Sequence, residues 1–199
     1  MTRLVVATRN KGKLREIAAI LSGLPFMLLS LDDFPDFPEV EEDGATFEEN
    51  ALKKASMAAM VTGLPALADD SGLVVDALGG KPGVYSARYS GESASDEANN
   101  TKLLSELATV PYAERTAAFR CTIALCIPGG ERYTFSGELR GVILDSPRGT
   151  GGFGYDPLFF VSENGATMAE LSLEVKNAVS HRGKALALLK GHLGRQAGE

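Results

Sequence analysis

The sequence contains no apolar run close to the roughly 20 residues that a membrane-spanning helix needs. The apolar stretch that opens the chain, 4–7, is also too short for the core of a signal peptide. These two absences predict a cytoplasmic protein with no membrane partner. Internal repeats, low-complexity tracts and long linkers are lacking as well. At 199 residues the chain is long enough for one domain or two tightly joined lobes, and we expect a single domain that covers residues 1–199.

Cysteine is scarce, with only Cys121 and Cys126 in the chain. Both fall in one strand-like run at an odd spacing, which directs their side chains to opposite faces of a sheet. We therefore expect two reduced core thiols with no metal or redox role.

An excess of basic charge is also missing, because 20 Lys and Arg residues face 26 Asp and Glu residues, for a formal net charge of −6. Proteins that bind a nucleic-acid polymer normally present a broad basic face to its phosphates. The cations here occur in small groups beside glycine and hydroxyl residues. This pattern favours one small polyanion as the partner and argues against a nucleic-acid polymer.

The apolar spacing predicts alternating helices and strands. Thr46, Ser95 and Ser180 are typical N-cap residues, and 128–130 has the composition of a hairpin turn. We expect strands near 4–7, 65–69, 73–77, 116–127, 132–144 and 158–161, and helices near 12–22, 47–61, 96–107 and 181–193. This mixture predicts an α/β fold with one mixed parallel and antiparallel sheet flanked by helices.

The most informative stretch is the glycine-rich loop 150–157, Thr-Gly-Gly-Phe-Gly-Tyr-Asp-Pro. Its glycines let the backbone follow a ligand closely and present N–H groups. Phe153 and Tyr155 provide a stacking surface, Gly154 lies between them, and Asp156 supplies an acceptor. This combination suits a heterocyclic base better than a bare phosphate.

A second cluster lies where the first strand passes into the first helix. Cations at a helix N-terminus are electrostatically misplaced unless an anion joins them there. The spacing is not that of a Walker A loop. An ordinary solvated helix start is the alternative to an anion site. The candidate residues are Thr8, Arg9, Asn10, Lys11, Gly12 and Lys13.

Consecutive carboxylates at Asp69 and Asp70 lie between two apolar runs, where they would repel each other without a compensating cation. Mg²⁺ is the natural choice for all-oxygen ligands. An ordinary Asp turn is the alternative. Glu39, Glu41 and Glu42 form a second acidic source, and for them a solvated acidic loop is the alternative.

Two further groups supply cations. Asn50 and Lys54 are four residues apart and share one helix face, where Lys54 could orient phosphate or lower the pKa of a neighbouring Asp. His181 and Arg182 open the last helix shortly after Lys176 and could donate to carbonyl oxygens or phosphate. From these residues alone, surface or structural roles remain alternatives.

Taken together and in this order, the clusters resemble the family of inosine/xanthosine triphosphate pyrophosphatases. The resemblance covers essentially the whole chain. Each motif is modest by itself, but the set is specific. It is carried by 7–13, 46–51, 68–73, the run 82–89 (Pro-Gly-Val-Tyr-Ser-Ala-Arg-Tyr), 149–157 and 180–182.

The resemblance implies hydrolysis of ITP, dITP and XTP to the monophosphate and pyrophosphate with Mg²⁺. It also implies a homodimer and an elongated mixed sheet with two lobes around a cleft. Asp70 matches the general base and a metal ligand, and Glu41 matches a second ligand within a residue or two. The triphosphate would be held by Thr8 to Lys13, Lys54 and Ser71, and the base by Phe153 to Asp156, Lys176, His181 and Arg182.

Selectivity for these bases would depend on the 6-position, where inosine and xanthosine carry a carbonyl acceptor and adenosine an amine donor. His181 and Arg182 would donate hydrogen bonds to the carbonyl and would have no acceptor to bind at this position in adenosine. Two alternatives remain open at this point: a Maf-like pyrophosphatase for pyrimidine or modified nucleotides, and a nucleotide sensor without catalysis.

Overall fold

The computed structural model describes residues 2–196. Its strands are β1 (Thr2–Val6), β2 (Phe26–Ser30), β3 (Ala66–Val75), β4 (Thr116–Cys126), β5 (Arg132–Ile143), β6 (Phe159–Val161) and β7 (Ala166–Thr167). Its α-helices are α1 (Lys11–Leu21), α2 (Phe47–Thr62), α3 (Asp96–Glu106), α4 (Leu173–Val179) and α5 (His181–Gln196). No helix within this part of the chain is long and apolar enough to cross a membrane.

The described strands form one seven-stranded sheet in the order β2-β1-β3-β4-β5-β6-β7. β1 pairs in parallel with both β2 and β3, whereas β6 pairs antiparallel with β5 and β7. β4 and β5 are neighbours joined by only five residues, a connection that antiparallel strands allow and parallel strands do not. The prediction of a mixed α/β sheet is confirmed.

The chain divides into two compact units, each assembled from separated stretches of sequence. Unit 1 comprises 1–70, 121–137 and 182–199, and unit 2 comprises 71–120 and 138–181. Because neither unit is one continuous stretch, the boundaries do not follow the order of the chain. A single domain over 1–199 stays a prediction.

Among the described residues of unit 1 there are two apolar clusters, and successive side chains of β1 belong to one or the other in turn. Leu4 and Val6 pack with the apolar faces of α1 and α5, whereas Val5 packs with the alanines of α2. Cys121 belongs to the first cluster and Cys126 to the second. Both are free and buried, so the prediction of reduced core thiols on opposite faces is confirmed.

Unit 2 has one apolar cluster. It includes residues from the C-terminal parts of β3 and β5 and from the N-terminal part of β4. Phe119 and Phe159 both belong to it, with ring centroids 4.4 Å apart. Leu103 of α3 and Tyr155 of the glycine-rich loop are buried in the same cluster. The loop is therefore attached to this core by one of its own side chains.

Helices α2, α3 and α5 begin directly after the cap residues that the sequence predicted. Thr46 accepts from the Glu49 N–H at 3.1 Å and begins α2, and Gly63 ends α2 with a φ of +65°. Ser95 caps α3 in the same way, and Ser180 directly precedes α5 in an extended conformation. The predicted helices are confirmed, although α5 extends to Gln196 rather than 193.

One predicted boundary is wrong. Two short strands were expected near 65–69 and 73–77, with Asp70, Ser71 and Gly72 between them, but these three residues lie inside the continuous strand β3. Nearly every residue of β3 is buried, and Gly72 does not adopt a positive φ. Asp, Ser and Gly are frequent turn residues, but packing on both faces of β3 keeps them in the strand. The strands β2 and β7 and the helix α4 were not predicted.

Candidate active site

Asp70 lies within β3 and is only 4% exposed. Its Oδ1 accepts from the Lys54 Nζ at 2.8 Å, and its Oδ2 accepts from the Asn50 Nδ2 at 3.3 Å. Asn50 and Lys54 are one turn apart on α2, so the prediction that they share one helix face is confirmed. The two donors hold the carboxylate in one orientation.

Lys54 also connects Asp70 to the acidic loop. Its Nζ donates to the Glu42 Oε1 at 2.7 Å, so one ammonium group lies between two carboxylates from separate segments. Glu42 is thus the acidic-loop glutamate that pairs with Lys54, whereas Glu39 and Glu41 are exposed. Within residues 2–196, no three His, Cys, Asp or Glu side chains are arranged to hold a metal ion.

In each of Asp70 and Lys54, burial and neighbouring charges shift the pKa in opposite directions. Burial raises the pKa of the Asp70 carboxyl above its ordinary value, although the ammonium groups of Lys54 and Lys13 partly oppose the shift. Burial alone would lower the pKa of Lys54, but the carboxylates around it raise the pKa instead. The expected lowering of the Asp70 pKa by Lys54 is thus outweighed by desolvation.

Asp69 contacts a different set of cations, as the alternation of a strand requires. Its Oδ1 lies 2.6 Å from the Lys13 Nζ, and its Oδ2 accepts from the Arg182 Nε at 3.0 Å. The Cys121 thiol donates to the same Oδ2 at 3.3 Å. Asp69 thereby joins α1, β4 and α5 to the central strand.

Although Asp69 is fully buried, the charges of Arg182, Lys13 and Lys54 hold its pKa far below the usual range. Arg182 forms a second ion pair with Glu16 of α1 and is itself only 2% exposed. Burial would lower the pKa of Arg182, but Asp69 and Glu16 raise it.

Glu16 was missed by sequence reasoning. Its position on α1, one turn after Lys13, was the available signal, because a carboxylate buried beside an apolar face needs a cation. We call the buried and half-buried ionic network of unit 1 the charged cluster. Its members are Lys13, Glu16, Glu42, Lys54, Asp69, Asp70 and Arg182.

The segment before α1 is organised by short hydrogen bonds. Asn10 caps the helix by accepting from the Lys13 N–H at 3.0 Å, and the Thr8 Oγ1 accepts from the Asn10 N–H at 3.2 Å. Arg9 donates to the Phe37 carbonyl at 3.3 Å, and Lys11 is exposed. The first turn of α1 contains no acidic residue, which leaves its N-terminus suited to an anion.

Unit 2 contains the glycine-rich loop, and Asp156 organises it. The Asp156 Oδ2 accepts from the Phe153 N–H at 3.0 Å and from the Lys176 Nζ at 2.6 Å. The Lys176 Nζ also lies 4.9 Å from the centroid of the Phe153 ring. Gly152 has a φ of +76°, and a Cβ there would lie 2.0 Å from the Asp156 Oδ2. The glycine is required at this position.

Two expectations for this loop need correction. The backbone N–H groups of Gly151, Phe153 and Gly154 were expected to face a ligand, but they donate to Ala169, Asp156 and Asp96 respectively. The ring of Tyr155 is buried, and its hydroxyl donates to the Ser86 carbonyl at 2.8 Å. Of the aromatic pair, only the Phe153 ring remains half-buried and able to offer a stacking surface.

The other predicted residues divide between the units. Ser71 is half-buried in unit 2, and His181 stacks on Phe119 at 4.9 Å with an interplanar angle of 17°. Arg182, although adjacent to His181 in the chain, belongs to unit 1 and to the charged cluster. The structure thus brings together Lys13, Lys54, Asp70 and Arg182 in one group, and Phe153, Asp156 and Lys176 in another.

Comparison with known proteins identifies the family of this chain. Residues 4–192 match the family model described as the Ham1 family. The chain belongs to the Ham1 family. A protein of Geobacter sulfurreducens named dITP/XTP pyrophosphatase is 89% identical over 196 residues, which are 98% of each chain. A Desulforamulus reducens protein of the same name is 58% identical over 184 residues, 92% of each chain.

Solved structures of the Ham1 family agree. The HAM1 protein from Coxiella burnetii superposes with a TM-score of 0.90 at 43% identity, over 98% of this chain and 100% of that one. The Ham1 protein of Staphylococcus aureus gives a TM-score of 0.86 at 44% identity, with the same coverage. The family prediction made from the sequence motifs is confirmed.

Proposed function

We propose that this protein hydrolyses dITP, ITP and XTP to the corresponding monophosphate and pyrophosphate. The relatives with the name dITP/XTP pyrophosphatase align over nearly the whole chain, which supports the same reaction here. The structural observation that carries the proposal is Asp70, a buried carboxylate held by Asn50 and Lys54 inside a cluster of cations.

In this reaction a water molecule attacks the α-phosphorus, and the anhydride bond to the β-phosphate breaks. Asp70 orients the water and takes its proton. A carboxylate whose pKa is raised by burial is a stronger base than an exposed one, which favours this role. Asn50 and Lys54 keep the accepting oxygen in place throughout.

The donor set around Lys54 also fits a divalent ion. Glu42 and Asp70 approach one ammonium group from two segments, and Mg²⁺ in nucleotide enzymes typically takes one or two carboxylates together with substrate phosphates. We propose that Asp70 and a glutamate of the acidic loop, Glu41 or Glu42, hold Mg²⁺. When bound, the ion neutralises phosphate charge and stabilises the pyrophosphate leaving group.

The triphosphate would meet the cations of unit 1. The N-terminus of α1 offers backbone N–H groups without a competing acidic residue, and Lys13 extends from its first turn. Lys13 and Lys54 are both held by carboxylates of β3, so they are positioned before the substrate arrives. Thr8 to Gly12 and Ser71 complete the proposed phosphate contacts.

The base would be received in unit 2. The Phe153 ring provides the stacking surface, and Asp156 and Lys176 fix its backbone and ring. We propose that His181 and Arg182 donate to the 6-carbonyl that dITP and XTP share, and that Arg182 also stabilises Asp69. An adenine amine would face donors instead of acceptors at this position.

Product analysis tests the proposal. The purified chain is supplied with Mg²⁺ and, in parallel, with dITP, ITP, XTP, GTP, ATP and pyrimidine triphosphates. We expect monophosphate plus pyrophosphate, concentrated on dITP, ITP and XTP. Release of orthophosphate, or preference for a pyrimidine as in the Maf-like alternative, would contradict the proposal. Nucleotide binding without turnover would identify a sensor.

Assembly and location are proposed with the function. We propose a homodimer that works in the cytoplasm on the free nucleotide pool. Sedimentation of the purified protein measures the first, and fractionation of cells that express it measures the second. A monomer at all concentrations, or recovery outside the cytoplasmic fraction, would contradict the respective statement.

A further inference from the structure

The first two turns of α3 hold the tip of the glycine-rich loop. The Gly154 N–H donates to the Asp96 Oδ2 at 2.6 Å, and the Asn100 Nδ2 donates to the Gly154 carbonyl at 3.0 Å. Asp96 and Asn100 are four residues apart and therefore lie on one face of the helix. The backbone N–H and the carbonyl of one loop residue, Gly154, are therefore both bound by that face.

The Asn100 amide is oriented with its Nδ2 towards the Gly154 carbonyl. Its Oδ1 is buried and has no hydrogen-bond partner among the described residues. An unsatisfied buried acceptor is unfavourable. The reversed amide would place its oxygen against the Gly154 carbonyl oxygen, with two acceptors in contact. The hydrogen bond to Gly154 thus determines the orientation, even though the other end of the amide is left without a donor.

Gly154 lies between the two aromatic residues of the loop and adopts a φ of +61°. On one side Tyr155 is anchored through its hydroxyl to the Ser86 carbonyl, and Ser86 in turn accepts from the Leu73 N–H of β3 at 2.8 Å. On the other side is Phe153, whose ring is half-buried. Holding Gly154 therefore sets the direction in which Phe153 is presented.

We propose that Asp96 and Asn100 are positioning residues for base recognition: they fix Gly154 so that the Phe153 surface is formed before the nucleotide arrives. This inference depends on the proposed function for its substrate. Preorganisation of a binding surface improves affinity because less ordering is needed on binding. Asp96 and Asn100 belong to unit 2 and are not members of the charged cluster, so we expect the chemical step to be unchanged.

The kinetic test compares Asp96→Ala and Asn100→Ala with Glu97→Ala. Glu97 shares the first turn and the charge of Asp96, but among the described residues it is Asp96 and Asn100 that bind Gly154, so Glu97 controls for loss of helix stability. We expect the first two variants to raise the KM for dITP about tenfold, with kcat within about twofold of the parent. Asp96→Asn keeps an acceptor oxygen for the Gly154 N–H and should recover most of the loss.

Inorganic tripolyphosphate, which has no base, separates the two parts of the substrate. Its inhibition constant should be the same in the parent, Asp96→Ala and Asn100→Ala proteins. An equal weakening of tripolyphosphate and dITP would overturn the proposal, because the damage would then not be confined to the base. A KM for dITP in Asp96→Ala equal to that in Glu97→Ala would overturn it as well.

Amide hydrogen exchange gives a readout that needs no activity. The Gly154 amide should be protected in the parent and Glu97→Ala proteins and exchange faster in Asp96→Ala. If the parent fails to turn over dITP and XTP, the proposed function fails, while this measurement still tests the contact. Equal exchange in all three proteins would refute the contact itself.

Discussion

The charged cluster and the glycine-rich loop position their groups by different physical means. In the charged cluster, carboxylates of β3 hold the long side chains of Lys13, Lys54 and Arg182 through ion pairs. In the loop, side chains such as Asp156 hold the backbone through hydrogen bonds. The first arrangement fixes charges, and the second fixes the path of the chain.

This difference matches the two parts of the proposed substrate. A triphosphate presents the same charge whatever the base, so a network of opposite charges can be set once and kept rigid. Bases differ in shape and in hydrogen-bonding edges, so their recognition depends on where an aromatic surface is placed. Variants that remove a charge and variants that disturb the backbone should therefore give separable defects.

The largest effect is expected for Asp70→Asn. The variant keeps the shape of the side chain but removes the proposed base, so kcat should fall by about 10²–10⁴-fold. Binding of dITP should stay within about tenfold, since the other cations of the cluster remain. Measuring kcat and the dissociation constant separates these effects. Asp43→Asn, in an exposed pair with Lys53, is the matched control, and near-parental activity of Asp70→Asn would remove Asp70 from the mechanism.

Asp69→Asn should lower the free energy of unfolding, and not only the catalytic rate. It leaves Arg182 and Lys13 without their shared carboxylate, and breaking a buried ion pair typically costs about 3–5 kcal/mol. Denaturant unfolding measures the loss. Glu138→Gln, at an exposed ion pair, should cost less than about 1 kcal/mol. Equal losses would contradict the structural role of Asp69.

The pH dependence of stability provides a second test of Asp69. Because its pKa is lowered in the folded state, its contribution is present above the ordinary Asp pKa and is lost as the pH falls towards the folded value. The parent should therefore lose stability on acidification more steeply than Asp69→Asn. If stability fell equally with pH in the two proteins, the Asp69 carboxylate would not be the source of the acid sensitivity.

Gly152→Ala should affect the base more than the phosphates. The variant introduces a Cβ against the Asp156 carboxylate at a positive φ, which should raise the KM for dITP about tenfold. Gly129→Ala is the control, because Gly129 has a φ of +65° with open space around it. A KM in Gly152→Ala equal to that in Gly129→Ala would show that the contact with Asp156 does not control base binding.

Tyr155→Phe should have the smallest effect. It removes only the hydrogen bond to the Ser86 carbonyl and keeps the buried ring, so the loss of stability should be about 1 kcal/mol. Thermal unfolding measures it, with the exposed Tyr112→Phe as control. A loss several times larger would mean that the anchor of the loop depends on this bond more than on the apolar packing of the ring.

The sequence by itself determined the elements that depend on local chemistry. Thr46, Ser95 and Gly63 marked helix ends because capping is a contact between near neighbours in the chain. The shared face of Asn50 and Lys54 followed from helical spacing, and the opposite faces of Cys121 and Cys126 from strand alternation. The motifs also identified the family, because their order along the chain is specific.

Only the tertiary structure decided which residues meet across long separations. Asp69 pairs with Arg182, which is 113 residues away, and Glu16 pairs with Arg182 across 166 residues, so no local pattern could reveal either contact. The same holds for the contact of Asp96 with Gly154 and for the burial of the Tyr155 ring. Asp70, Ser71 and Gly72 form a strand instead of a turn for the same reason. Packing on both faces of β3, which depends on distant parts of the chain, outweighs the local preference of these residues for a turn.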